Sequence, residues 1–335
     1  LREPNVDHAV LEVARGGIIR RGLGFESCSV GILLNVDEDH VGLDGVEDLE
    51  ELALVKSAVV EVVEDSGVSV LNADDSIVVG LIERAGGRVI LFSLHSENET
   101  VTRHLKSGGT AVVLQGGEIV IHSPKPSVHL LSVLEAPITM RGVARFNIAN
   151  VLAAAAALHG LGVPVDMIRK GISTFHPSAT QNPGRMNLID FVSFKVLLDY
   201  GHNVPAIRAL GNTLPHITKG RKIVVAHGTG SRLDEHIRIF GATLADIYDY
   251  LIVTDADPRH RSPGETSDLV LAGALEKGFS REHTKIVNDP AEAIDHAFTI
   301  VQSGDLIVVQ VDEVEPMLKR VMEHFDRIVG PVLSP

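Results

Sequence analysis

Lys195-Val-Leu-Leu-Asp-Tyr-Gly-His-Asn203 decides how this chain is read. Four residues of strand character run into an acid, a glycine and an asparagine, and a helical pattern follows. An apolar run that ends in polar groups just before a helix is how ligand-binding residues sit at the carboxyl ends of an open α/β sheet. Thr254-Asp-Ala-Asp-Pro-Arg259 repeats the arrangement after Leu251-Ile-Val253. Upstream, Glu12 lies within Ala9-Val-Leu-Glu-Val13, and Asn35, Asp39 and His40 follow the run beginning at Val30. A single such acid is usually a turn or a helix cap. Four strand ends of this kind in one chain point to a site.

Outward from these points, short apolar runs alternate with amphipathic stretches, the pattern of strands joined by crossover helices. The periodicity predicts strands over 8–13, 30–36, 68–71 and 89–92, with helices over 48–64 and 75–85. Closer alternation around Gln115-Gly-Gly-Glu118 predicts a small antiparallel excursion between 110 and 138. Helices over 145–159 and 165–174 follow. His176-Pro-Ser-Ala-Thr-Gln-Asn-Pro-Gly-Arg185 reads as a linker, which places a boundary near residue 180. A second series predicts strands over 194–198, 222–226, 250–254, 285–287 and 306–311, with helices including 234–246 and 314–325.

A length of 335 residues suits two domains. The net charge of −14 opposes binding to nucleic acid or an anionic membrane, and no basic run offsets it. The one cysteine, Cys28, excludes an internal disulfide. Without a signal peptide or an apolar span of about 20 residues, the expected compartment is the cytoplasm. The chain opens at Leu1 and is within a strand-like run by Ala9, so an upstream part is expected.

Lys56 falls on the apolar stripe of its helix beside Leu49, Leu52, Ala53, Val59, Val60 and Val63. Either its stem snorkels to carry the ammonium into a cleft, or a neutral amine there reacts with carbon dioxide to give a carbamate suited to magnesium. Asn147 and Asn150, three apart on one helix, project from one face and could meet a flat heterocycle. Arg185 lies in the linker, where a cation could reach phosphate.

Taken in order, eight segments resemble the Mur ligase superfamily of ATP-dependent peptide ligases. They are Leu11-Glu-Val-Ala, Asn35-Val-Asp-Glu-Asp-His40, Leu54-Val-Lys56-Ser, Leu71-Asn-Ala-Asp-Asp75, Arg145-Phe-Asn-Ile-Ala-Asn150, Asn182-Pro-Gly-Arg-Met186, Asp199-Tyr-Gly-His-Asn203 and Asp255-Ala-Asp-Pro-Arg259. Glu12-Val-Ala-Arg-Gly-Gly-Ile-Ile-Arg-Arg-Gly22 makes the wording most similar to the C-terminal ligase half of the cyanophycin synthetases. The resemblance implies an α/β fold, with an incomplete central ATPase domain over 1–180 and a Rossmann-like C-terminal domain over 181–335.

It also implies residue roles: Glu12 and His40 at a magnesium site, Lys56 as the carbamylated lysine, Asn147 and Asn150 at adenine, Arg185 at phosphate and Asp199 at ribose. Asp255, Asp257 and Arg259 match the turn that reads the incoming amino acid. The implied reaction uses ATP and Mg2+ to form an amide through an acyl phosphate, adding arginine to an aspartate polymer, in a chain that is free to form homo-oligomers. No Gly-x-x-Gly-Lys-Ser/Thr segment occurs, so these residues by themselves are expected to be inactive. Two alternatives stand beside this reading: another Mur-type ligase, acting on a peptidoglycan precursor or folate, and a catalytically silent ligase-like platform.

Overall fold

The computed structural model describes residues 5–37 and 45–330. The chain divides into two compact units, Leu1–Thr174 and Phe175–Pro335.

In the first unit a short helix α1 (Arg15–Arg21) precedes β1 (Cys28–Leu33) and α2 (Leu49–Glu61). Asp48 caps α2 by accepting from the Glu51 backbone, so the helix starts where an orphan N–H finds an acceptor. Next come β2 (Val63–Asn72), α3 (Ser76–Val79), β3 (Arg88–Ser93), α4 (Glu99–Lys106) and β4 (Thr110–Gln115). The meander β5 (Glu118–His122) and β6 (Val128–Ser132) leads to α5 (Arg145–Gly160) and α6 (Val165–Thr174).

These strands form one sheet in the order β1-β2-β3-β4-β5-β6. Pairing is parallel from β1 to β4 and antiparallel through β5 and β6, so the excursion expected between 110 and 138 is present. Strand alternation feeds two cores. Val70, Phe92 and Val112 meet Leu152 of α5 on one face, while Leu71, Leu91 and Val113 share a core with Leu52 and Val60 of α2 on the other.

Two expectations are corrected. Residues 8–13 form no strand: Val10 is 98% exposed and Leu11 55%. An extended run needs a neighbour for its N–H and C=O groups, and among the described residues none pairs with it. The helix expected over 75–85 shrinks to α3, with Gly80 as its C-cap, and a 3-10 turn at Ile82–Arg84. Among the described residues β1 pairs with β2 alone, so its other side is open.

The second unit comprises β7 (Asn187–Asp190), β8 (Lys195–Asp199), α7 (Val204–Gly211), α8 (Leu214–Ile217), β9 (Lys222–Thr229), α9 (Asp234–Ile247) and β10 (Tyr250–Asp257). It continues with α10 (Glu265–Glu276), β11 (Thr284–Ile286), α11 (Pro290–Ile300), β12 (Leu306–Gln310) and α12 (Val314–Ile328). The order is β11-β10-β9-β12-β8-β7, parallel except for β7. The chain steps outward from β8 toward β11 and then returns to insert β12 between β8 and β9. That reversal makes the carboxyl ends of β8, β12 and β9 the place where an α/β sheet opens a crevice for ligand.

Helices α9 and α10 touch through glycines. A methyl added at Gly241 would lie 1.9 Å from the Val270 carbonyl oxygen, and one at Gly273 would lie 1.9 Å from that of Arg238. Both are far inside contact distance, so the two helix backbones approach as closely as they do because both positions lack a side chain. No helix among the described residues is long and apolar enough to cross a membrane.

Candidate active site

At the carboxyl end of the first sheet, the matched segment Leu71-Asn-Ala-Asp-Asp75 acts as a clasp. Asn72 Nδ2 donates to the Leu34 carbonyl at 2.8 Å. Asp75 accepts from the Val36 backbone at 2.8 Å and caps α3 with its other oxygen. Asp74 accepts from the Leu94 backbone at 2.6 Å and from Ser93 Oγ. The ends of β1, β2 and β3 are thereby tied at the level where Asn35 leaves β1.

Lys56 is half-buried, and its Nζ donates to the Asn35 carbonyl at 3.2 Å. The stem therefore follows the apolar stripe and the head turns to the carboxyl end of β1. Glu12 is exposed in the strandless stretch before α1, and His40 lies outside the described residues. Among the described residues, no group of three or more His, Cys, Asp or Glu is placed to hold a metal ion. With His40 outside the described residues, the magnesium set of Glu12, His40 and a modified Lys56 stays an expectation.

Asn147 is buried on α5, where its Nδ2 donates to the Ile138 carbonyl at 2.8 Å and its Oδ1 accepts from Asn150 at 3.3 Å. Asn147 anchors the helix, and exposed Asn150 carries the outward amide edge.

The second unit gathers more. Asp199, at the tip of β8, accepts from the Gly201 backbone at 2.8 Å and from the Met186 backbone at 3.0 Å. Burial pushes its carboxyl above the usual range, against the pull of these two donors and of the Arg185 charge. A carboxylate has about four lone-pair positions, so two backbone donors leave room for a ligand hydroxyl. Arg185 lies over the face of Tyr200, its guanidinium carbon 4.5 Å from the ring centroid, and His202 meets the same ring edge-on at 4.9 Å. Arg185, Tyr200 and Asp199 are therefore one cluster. Periodicity could not find Tyr200, because the stacking partner lies fifteen residues earlier across the linker.

The turn after β10 divides by role. Asp255 accepts from the Gly264 backbone at 2.6 Å and from Thr266 Oγ1, which fixes the entry to α10. Asp257 pairs with Arg259 at 2.6 Å, and Arg259 holds a left-handed φ of 54°. Such a backbone is uncommon outside glycine and asparagine and collects at functional turns. Of the two acids only Asp257 faces a cation here, while Asp255 is engaged in holding the backbone.

His227 near the end of β9 is 3% exposed. Its ring is held below the ordinary histidine range by burial, partly offset by Asp312 and Asp257. A histidine depressed on folding takes up protons more readily when unfolded, so its stability contribution is present above about pH 6.5 and lost as pH falls below it. Replacing His227 with Gln should flatten the decline in urea midpoint between pH 7 and pH 5. His159 and His296, also depressed by burial, would carry the remaining slope. An unchanged profile would mean His227 does not titrate in that window.

Residues 1–158 match the Mur ligase middle domain, and residues 184–310 match the Mur ligase glutamate ligase domain. The chain belongs to the Mur ligase superfamily. It is similar over nearly its whole length to cyanophycin synthetases, being 40% identical to that of Crocosphaera subtropica over 92% of this chain and 35% of the relative. Identity to the enzyme of Geminocystis herdmanii is 37% over 97% of this chain and 37% of that protein. The chain thus spans about a third of the length of these curated relatives.

Among solved structures, Escherichia coli FolC in complex with DHPP and ADP aligns at a TM-score of 0.62 and 16% identity, covering 89% of this chain and 62% of that one. MurF from Acinetobacter baumannii aligns at 0.59 and 21%, covering 88% and 60%. At these identities the likeness is one of fold.

Proposed function

We propose that this chain is the Mur-type part of an ATP-dependent ligase that adds arginine to an aspartate polymer, as in cyanophycin synthesis. The observation that carries the reading is the 40% identity to a cyanophycin synthetase across 92% of the chain. In keeping with it, Asp199 ends β8, Asp257 ends β10 and Arg185 stacks on Tyr200, the residues this reading assigns to ribose, incoming amino acid and phosphate.

In the proposed reaction a carboxylate oxygen of the polymer attacks the terminal phosphorus of ATP, supplied as its magnesium salt, and the bond to ADP breaks. The amine nitrogen of arginine then attacks the acyl carbon, phosphate departs with the bonding pair, and the amine loses a proton to solvent. Asp199 accepts a ribose hydroxyl, and Arg185 offers in-plane N–H donors to phosphate oxygens, where its fixed charge opposes the charge that builds up. Asn150 presents its amide edge to the adenine. Asp257 and Arg259 receive the incoming amino acid, an acid for a cationic side chain and a guanidinium for a carboxylate.

The test is an amide-forming assay on the full-length protein with ATP, magnesium, an aspartate-polymer primer and each amino acid in turn. Expected is ADP release that requires both primer and arginine. Turnover that ignores arginine and proceeds with a nucleotide-linked peptide would replace this reading with that of a peptidoglycan-type ligase. No turnover with any acceptor would favour a silent platform.

A further inference from the structure

Arg185 is held differently from Arg221, Arg261 and Arg320 of the same unit. Arg221, Arg261 and Arg320 each spend N–H donors on carboxylates, at 2.6 Å from Asp305 and Glu265 for the first two, and on Asp295 and Glu323 for the third. Arg185 instead lies flat on Tyr200, at 4.5 Å from the centroid, and no acceptor among the described residues takes a hydrogen bond from its guanidinium. Stacking uses the face of the guanidinium and leaves its in-plane N–H fork unspent. The ring itself is steadied, since half-buried Tyr200 packs against the core of the second unit and His202 closes on its edge.

We propose that Tyr200 is a positioning residue, an aromatic platform that presents the free fork of Arg185 to a phosphate of the bound nucleotide. The inference rests on the reading of Arg185 as a phosphate contact. Without the ring, a long linker side chain must be ordered at the moment of binding; on the ring, its face is already fixed and only its edge is offered.

The geometry separates what the ring supplies from what the hydroxyl supplies. Tyr200→Phe keeps the π face, so ADP affinity of the full-length protein should stay within about twofold of the parent. Tyr200→Leu keeps an apolar side chain but removes the π face, and should weaken ADP about fivefold, the size of an exposed cation–π contact. Arg185→Met should weaken it more, and adding Tyr200→Leu to Arg185→Met should change nothing further. Melting temperatures of all four variants tell binding effects from unfolding.

If Tyr200→Leu leaves ADP affinity unchanged while Arg185→Met lowers it, or if the two effects simply add, Tyr200 does not act through Arg185 and the inference falls. If Arg185→Met itself has no effect, the phosphate assignment falls first and takes the inference with it. Equal loss in Tyr200→Phe and Tyr200→Leu would point to the hydroxyl and also overturn it.

Discussion

Replacing Lys56 with alanine should lower amide-forming turnover of the full-length protein by roughly 10²- to 10³-fold, the loss typical of removing one group that stabilises transferring charge. The expectation comes from where the head sits. Lys56 Nζ lies 3.2 Å from the Asn35 carbonyl, at the carboxyl end of β1 where the run toward His40 begins. In the proposed chemistry a neutral Lys56 amine attacks carbon dioxide. The N–C bond would then form, the amine proton would leave to solvent, and the side chain would become an anion able to face a metal. Stability should change little, because the side chain is only half-buried. In 13C-bicarbonate the nucleotide-bound protein should show a carbamate resonance that Lys56→Ala lacks, and bicarbonate with a short carboxylic acid should restore part of the rate. Full turnover in Lys56→Ala would remove Lys56 from the chemistry altogether.

The second large effect is on folding. Gly241→Ala places a methyl 1.9 Å from the Val270 carbonyl, and because that oxygen belongs to a helix backbone it cannot swing aside. Either α9 and α10 move apart along their shared face or the turn distorts, at a cost of about 3 kcal/mol. For a unit of this size that corresponds to a fall in Tm of roughly 10 °C. Gly273→Ala should behave alike. The double variant should cost less than the two together, since the first methyl already separates the helices. A Gly241→Ala protein melting within 2 °C of the parent would show that the close approach is not tight in solution.

Much of the second unit was legible because each strand is a short apolar run closed by a polar turn. The run Lys195 to Leu198 became β8, and the acid after it proved to be the strand's last residue. Lys222 to Ala226 marked β9 but stopped short of His227 and Thr229, since a histidine and a glycine do not read as strand interior. β7 was invisible: Asn187-Leu-Ile-Asp190 is brief, half polar, and becomes a strand only through antiparallel pairing with β8. In the first unit α4 carries too short an apolar stripe to read, because polar residues outnumber Val101 and Leu105, although Asn98 caps it.

Site residues followed the same division. Arg185 and Asp199 are readable as chemistry in sequence, yet the ring contact that seats Arg185 on the neighbouring Tyr200 is not. Asp255, expected at the incoming amino acid, also holds the Gly264 backbone nine residues later, a contact that no local pattern marks. Partners fixed by tertiary approach leave no periodic mark.

The bare side of β1 bears on how these 335 residues behave when handled by themselves. Among the described residues, a parallel strand with one ladder unmet, carrying Ile32 at 37% exposure and followed by Leu34 at 41%, is a template for edge-to-edge joining between molecules. Self-association should therefore grow with concentration and with added salt, which screens repulsion and leaves hydrogen bonds and apolar contact to drive it. The strong net negative charge slows the first encounter but cannot cap the exposed ladder. Light scattering that rises with concentration and falls when Ile32 is replaced by Lys would trace stickiness in solution to that one strand.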